Sequence, residues 1–121
     1  MKNKIYSKFN KNKNIKIMTH IVAGYPDLET NMEMILLMQD SGVDMVEIQI
    51  PFSDPMADGP SIMMANQTAL DSGLKVSECF EFVEKIIDDI DIPLLIMTYA
   101  NIPYRVGLEK FLDLSAKCGI S

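Results

Sequence analysis

The residues of this sequence best suited to chemistry fall within a dozen positions. Glu47 sits in an apolar run, MVEIQI at 45–50, and Asp54 and Asp58 sit in the loop that follows, within PFSDPMADGP. A carboxyl group in a run bound for a core is partly withdrawn from water, which suits it to proton transfer. The plainer alternative is a glutamate paired with a buried cation or a backbone group. The loop is preorganised: Pro51, Pro55 and Pro60 fix φ at three points, and Gly59 permits an unusual turn. Two carboxyl groups in different surroundings can take different tasks, one moving protons and the other stabilising charge. Asx-turn chemistry accounts for Asp54 before Pro55, but less well for the whole run.

These groups need elements to hold them. The run at 15–23, IKIMTHIVA, reads as a strand ended by Gly24-Tyr25-Pro26. Asp27 can cap a helix in which Leu28, Met32, Ile35 and Leu36 recur at helical spacing, with Gly42 at its end. MVEIQI is the second strand. Residues 61–72 read as a short helix ended by Gly73, and Ser77 can cap another in which Phe82, Val83, Ile86, Ile87 and Ile90 share a face. Ile92-Pro93 opens a third strand, LLIMTY, reaching Tyr99. A polar-aromatic loop, ANIPYRVG, leads to a last helix marked by Leu108, Phe111, Leu112 and Ser115 and stopped by Gly119. A fourth strand is expected to start at Ile120-Ser121.

Continuous apolar strands alternating with helices predict a parallel sheet covered by helices, in an open doubly wound sheet or a (β/α)8 barrel. No G-x-G-x-x-G follows the first strand. The chemistry-bearing residues gather after strands, where both architectures place their sites. Alternation in the second strand sends Val46, Ile48 and Ile50 toward helices, and Met45, Glu47 and Gln49 toward a barrel interior. A full barrel takes about 250 residues, so 121 residues amount to roughly half of one.

Composition narrows the function classes. Hydrophobic residues make up 48% and charged residues 23%, as in a globular protein, and no apolar run is long enough to span a membrane. The net charge is −6, yet Lys2, Lys4, Lys8, Lys11, Lys13 and Lys16 hold six of the eleven basic residues. With no arginine and little aromatic interleaving, residues 1–14 read as a solvated Lys/Asn-rich leader rather than a nucleic-acid arm, with the barrel portion running over 15–121. No apolar stretch behind the lysines makes a secretory signal. Cys79 and Cys118 lack metal-site spacing and read as buried or half-buried thiols, which fits a reducing, cytoplasmic setting.

IPFSDPMADGP, with Glu47 just upstream, resembles the tryptophan synthase alpha subunit family. AGYPDLE resembles that family's turn after the first strand, CFEFVEKI an intervening helix, and MTYANIPYRVGLEKF the third strand and the helix behind it. The resemblance covers about residues 16–121 and implies a (β/α)8 TIM barrel that cleaves indole-3-glycerol phosphate to indole and glyceraldehyde 3-phosphate, a retro-aldol lyase step of tryptophan biosynthesis without cofactor or metal. It implies Glu47 as the acid-base residue and Asp58 as the group that holds the indole N–H. It further implies Tyr99 as an aromatic wall of the indole pocket and Ile62 and Met97 as apolar lining. Asp54, Pro55 and Asn101 fall in loops facing a beta subunit, the pyridoxal-phosphate enzyme that receives indole in an alpha2-beta2 assembly; the PLP belongs to that partner.

Two residues depart from the family pattern. Gln49 stands where the family usually has glycine, so it is expected to crowd the site or to hydrogen-bond Glu47. His20 stands where the indole pocket usually has an apolar or aromatic residue; it reads as structural or as pointing into the site. The family binds the substrate phosphate late in its barrel, beyond the reach of these 121 residues. The chain is therefore expected to be a truncated alpha subunit without useful activity alone, and as an alternative a fragment that only docks to a beta subunit or self-associates.

Overall fold

In the computed structural model, residues 4–10 and 14–121 are described. Three strands, β1 (Met18–Val22), β2 (Met45–Gln49) and β3 (Leu94–Met97), form one parallel sheet in the order β1-β2-β3. Between them run α2 (Leu28–Asp40), α3 (Pro60–Asp71) and α4 (Val76–Ile86), the last continued by a 3-10 turn at Ile87–Asp89. α5 (Asn101–Val106) and α6 (Leu108–Lys117) follow β3, and α1 (Lys4–Asn10) precedes β1.

The register puts His20 beside Glu47, and Gln49 between Val22 and Met97. These residues share one face of the sheet. The opposite face carries Ile21, Val46, Ile48 and Leu94, all buried in a core with Ile35 of α2 and Phe80, Val83 and Ile86 of α4. One face is thus sealed by helices, while the other presents a polar row, with His20, Glu47 and Met97 only half-buried. That one-sided covering is what a barrel wall requires. Ser121 N–H donates to the Leu94 carbonyl at 2.9 Å, so the chain reaches the outer edge of β3 as a fourth strand would.

Local chemistry explains the element ends. The Asp27 carboxylate accepts from Thr30 N–H at 2.7 Å and from the Thr30 hydroxyl at 3.0 Å, capping α2. Those bonds hold its carboxyl below the usual value, the backbone bond most. Gly24 takes φ +80°, and a Cβ there would stand 2.6 Å from Leu74 Cδ2, so both the turn and the packing ask for glycine. Asp44 accepts from Ile17 N–H at 3.0 Å and pairs with Lys16 at 3.4 Å, tying the start of β2 to β1.

Several expectations are corrected. The ANIPYRVG stretch is not a loop; most of it is α5. Pro103 falls in that helix's first turn, where its missing N–H costs nothing. Ser77 does not cap α4, which starts two residues earlier after Lys75; the Glu78 carboxylate accepts from Lys75 N–H at 2.8 Å. Ile87 belongs to the 3-10 turn and Ile90 lies beyond it, and β3 stops at Met97, short of Tyr99. Within the stretch expected to be a leader, residues 4–10 are helical and Lys4 Nζ donates to the Ile90 carbonyl at 3.3 Å. Lys2, Lys11 and Lys13 lie outside the described residues.

Candidate active site

Glu47 projects from the middle of β2, and its Oε2 lies 2.8 Å from His20 Nδ1. The other ring nitrogen of His20, Nε2, lies 3.0 Å from Gln49 Oε1. Gln49 Nε2 donates to Asp58 Oδ2 at 2.9 Å, and the same oxygen accepts from the Tyr99 hydroxyl at 3.1 Å. Five side chains, from β1, β2, the loop after β2 and the segment just past β3, therefore form an unbroken chain, Glu47–His20–Gln49–Asp58–Tyr99. The parallel register makes this contact: β1 and β2 place His20 and Glu47 side by side with the same facing.

Gln49 is fully buried. Of the two expectations for it, the bond to Glu47 is not made; alternation puts both on one face two residues apart, but His20 bonds each of them and stands between. His20, the open case, points into the site. Asp58 is brought within reach by a turn in which Asp58 N–H donates to the Pro55 carbonyl at 3.0 Å. The Asp54 carboxylate closes no Asx-turn. Met56 N–H goes to the Asp54 main-chain carbonyl at 2.8 Å, and the side chain accepts from the Ser53 hydroxyl at 2.9 Å.

Tyr99 anchors the far side of the loop. Its hydroxyl accepts from Ala57 N–H at 3.1 Å while donating to Asp58, and its ring stacks on Phe52 with centroids 5.0 Å apart. Partial withdrawal from water and the Asp58 carboxylate hold the phenol above its ordinary value, against the opposing pull of the Ala57 N–H. Ile62 shares a cavity of about 260 Å³ with His20, Tyr25 and Met64. Met97 lies beside Gln49 on the sheet face. A larger cavity of about 740 Å³ stands apart from Glu47 and is lined by Asp54 and Asn101 with Phe52, Ile102 and Arg105. Pro55 is buried in the loop between.

Two supporting residues escaped the sequence reading. Asn66 of α3 accepts from Phe52 N–H at 2.9 Å and donates to the Ile62 carbonyl at 2.8 Å. Asn31 of α2 accepts from Gly24 N–H at 2.7 Å and donates to the Tyr25 carbonyl at 2.8 Å. Both are fully buried asparagines that pin the loops after β2 and β1. Their only signal in the sequence is an amide set among apolar helix positions.

A family model described as "Tryptophan synthase alpha chain" matches residues 6–121. The chain belongs to the tryptophan synthase alpha chain family. A relative of that name from Syntrophotalea carbinolica is 56% identical over 108 residues, covering 89% of this chain and 43% of the relative. Among solved structures, the Mycobacterium tuberculosis tryptophan synthase in its aminoacrylate-bound form superposes with a TM-score of 0.89 at 28% identity, covering 97% of this chain and 49% of that one. The tryptophan synthase a2b2 complex of Pyrococcus furiosus superposes at 0.80 with 34% identity, over 88% and 42%. This member of the alpha chain family spans a little under half the length of the relatives it matches. Its three strands are the first part of their TIM barrel.

Proposed function

We propose that the chain carries the acid-base portion of a tryptophan synthase alpha site, which cleaves indole-3-glycerol phosphate to indole and glyceraldehyde 3-phosphate. The observation that carries this reading is the placement of Glu47 and Asp58, two carboxyl groups joined through intervening side chains on one sheet face. Glu47 protonates indole C3 and takes the proton from the side-chain hydroxyl as the carbon–carbon bond breaks. The hydroxyl oxygen becomes the aldehyde oxygen and the bonding pair returns to the ring. Asp58 accepts the indole N–H and stabilises the positive charge that develops there. Tyr99, Ile62, Met97 and His20 line the indole site, and the fully buried Gln49 supports it from behind through His20 and Asp58.

The reaction is written with carboxyl groups alone and draws on no cofactor or metal of this chain. Asp54 and Asn101, which line the 740 Å³ cavity, and Pro55 face a beta chain that takes the indole onward with its own pyridoxal phosphate. Two buried free thiols suit a reducing, cytoplasmic setting. Phosphate binding is assigned to the half of the relatives that these 121 residues do not span, so the chain alone is expected to release no indole.

The test is indole release from indole-3-glycerol phosphate by the chain, first alone, then with the later half of the Syntrophotalea carbinolica relative and a beta chain. Release is expected only in the second case, with a Glu47→Gln exchange lowering it by about 100-fold or more. A docking role without chemistry is the second reading, favoured by the same cavity. It predicts that the chain alters beta-chain turnover while Glu47→Gln changes nothing.

A further inference from the structure

We propose that His20 is a positioning residue that shares one proton with Glu47 and, through Gln49, locks that pair to Asp58. The inference deepens the lyase reading and rests on it for its catalytic meaning, although its geometry stands without it.

Following the protons along the chain leaves one arrangement. Asp58 Oδ2 accepts from the Tyr99 hydroxyl, so the Gln49 group facing it at 2.9 Å must be the amide NH2. The reversed amide would set an oxygen against a carboxylate oxygen. The Gln49 carbonyl oxygen then faces His20 at 3.0 Å, and Nε2 must carry a hydrogen. That leaves Nδ1 facing Glu47 Oε2 at 2.8 Å. A bare ring nitrogen against a bare carboxylate at that distance sets two lone pairs together. One proton therefore lies between them, either on Glu47 beside a neutral ring or on the ring beside a carboxylate, and it belongs to the pair.

The consequence for chemistry is direct. The pair begins with one proton, delivers it to indole C3 and regains one from the substrate hydroxyl, so it ends as it began. Oε2 is held by His20, while Glu47 Oε1 has no hydrogen-bond partner among the described residues and is the oxygen left to meet substrate. Among the described residues, the only other ionisable side chain lining the cavity beside His20 is Tyr25; α2 and α3 contribute Met34, Ser61, Ile62, Met64 and Ala65 there. The two departures from the family pattern, His20 and Gln49, thus form one device.

His20 is the only histidine in the sequence, so its ring nitrogens can be read without ambiguity. Nitrogen-15 spectra of the histidine-labelled chain are expected to show Nε2 protonated in a single ring form, neutral or cationic, and a slowly exchanging proton, far downfield, between Nδ1 and Glu47. Glu47→Gln is expected to abolish that downfield proton. Asp58→Ala touches neither ring nitrogen, yet it frees the Gln49 amide to turn and is expected to bring back both neutral tautomers. Gln49→Gly, the family's usual residue, serves the same purpose should Asp58→Ala lose the amide dispersion of a folded chain. A wild-type spectrum already mixing both tautomers would overturn the proposal, as would a single form unmoved by both exchanges. Neither result depends on turnover: absent indole release from the mixture with the later half of the relative and a beta chain, together with a single locked ring form, counts against the lyase reading alone.

Discussion

Tyr99 is a donor to Asp58 only while it keeps its proton, and its surroundings favour keeping it. A phenol held above its ordinary value binds its proton more tightly folded than unfolded. Its contribution to stability is therefore full below about pH 10 and lost as pH rises through the folded value. Denaturation midpoints of the wild type are expected to fall more steeply above pH 10 than those of Tyr99→Phe; parallel curves would contradict this. Cys79 behaves in a related way. Burial, with the neighbouring Glu78 charge, pushes its thiol up to about 12. Alkylation at pH 8 is expected to reach Cys79 only after denaturant is added, and fast labelling of the folded chain would show the thiol is not sealed. Glu47 and Asp58 could be singled out from the sequence because a strand glutamate before a proline-rich acidic loop is a long, specific pattern, whereas Tyr99 came only from the family resemblance of the stretch around it. The bonds of Gln49 could not. Alternation gives the face a side chain lies on, but not which neighbour from another strand comes between.

At the scale of elements, the site depends on a sheet sealed on one face and on loops pinned by buried amides. Ile48 packs on the sealed face, 1% exposed, and Ile48→Ala is expected to cost about 2–5 kcal/mol in urea unfolding. Asn66→Ala leaves Phe52 N–H without its partner and is expected to cost about 1–3 kcal/mol. It should also loosen the Phe52–Tyr99 stack, visible as changed tyrosine fluorescence. A loss below about 0.5 kcal/mol, the range of ordinary surface exchanges, would show that Asn66 does not hold the loop. The order and type of the strands and of α2, α3, α4 and α6 were legible from periodicity and from Gly and Asp punctuation. α5 was not: six residues holding a proline and a single aromatic carry no helical period, and it forms because its first turn tolerates Pro103. The start of α4 was misplaced because Ser77 is a good cap by type, whereas Glu78 bonding back to Lys75 sets the boundary.

For the whole molecule, three parallel strands carry His20, Glu47 and Gln49 on the sheet face opposite the helix-packed core, and the chain spans under half the length of the relatives it matches. The family was legible because the loop after β2 and the stretch from Met97 to Phe111 are long and specific. The half-length coverage makes the decisive measurement one of complementation. Indole release should be followed with the chain, the later half of the Syntrophotalea carbinolica relative and a beta chain together, beside the same mixture carrying Glu47→Gln. Release that needs both halves and falls about 100-fold or more with Glu47→Gln is the expected result. Release unchanged by Glu47→Gln would contradict the assignment of proton transfer to this strand.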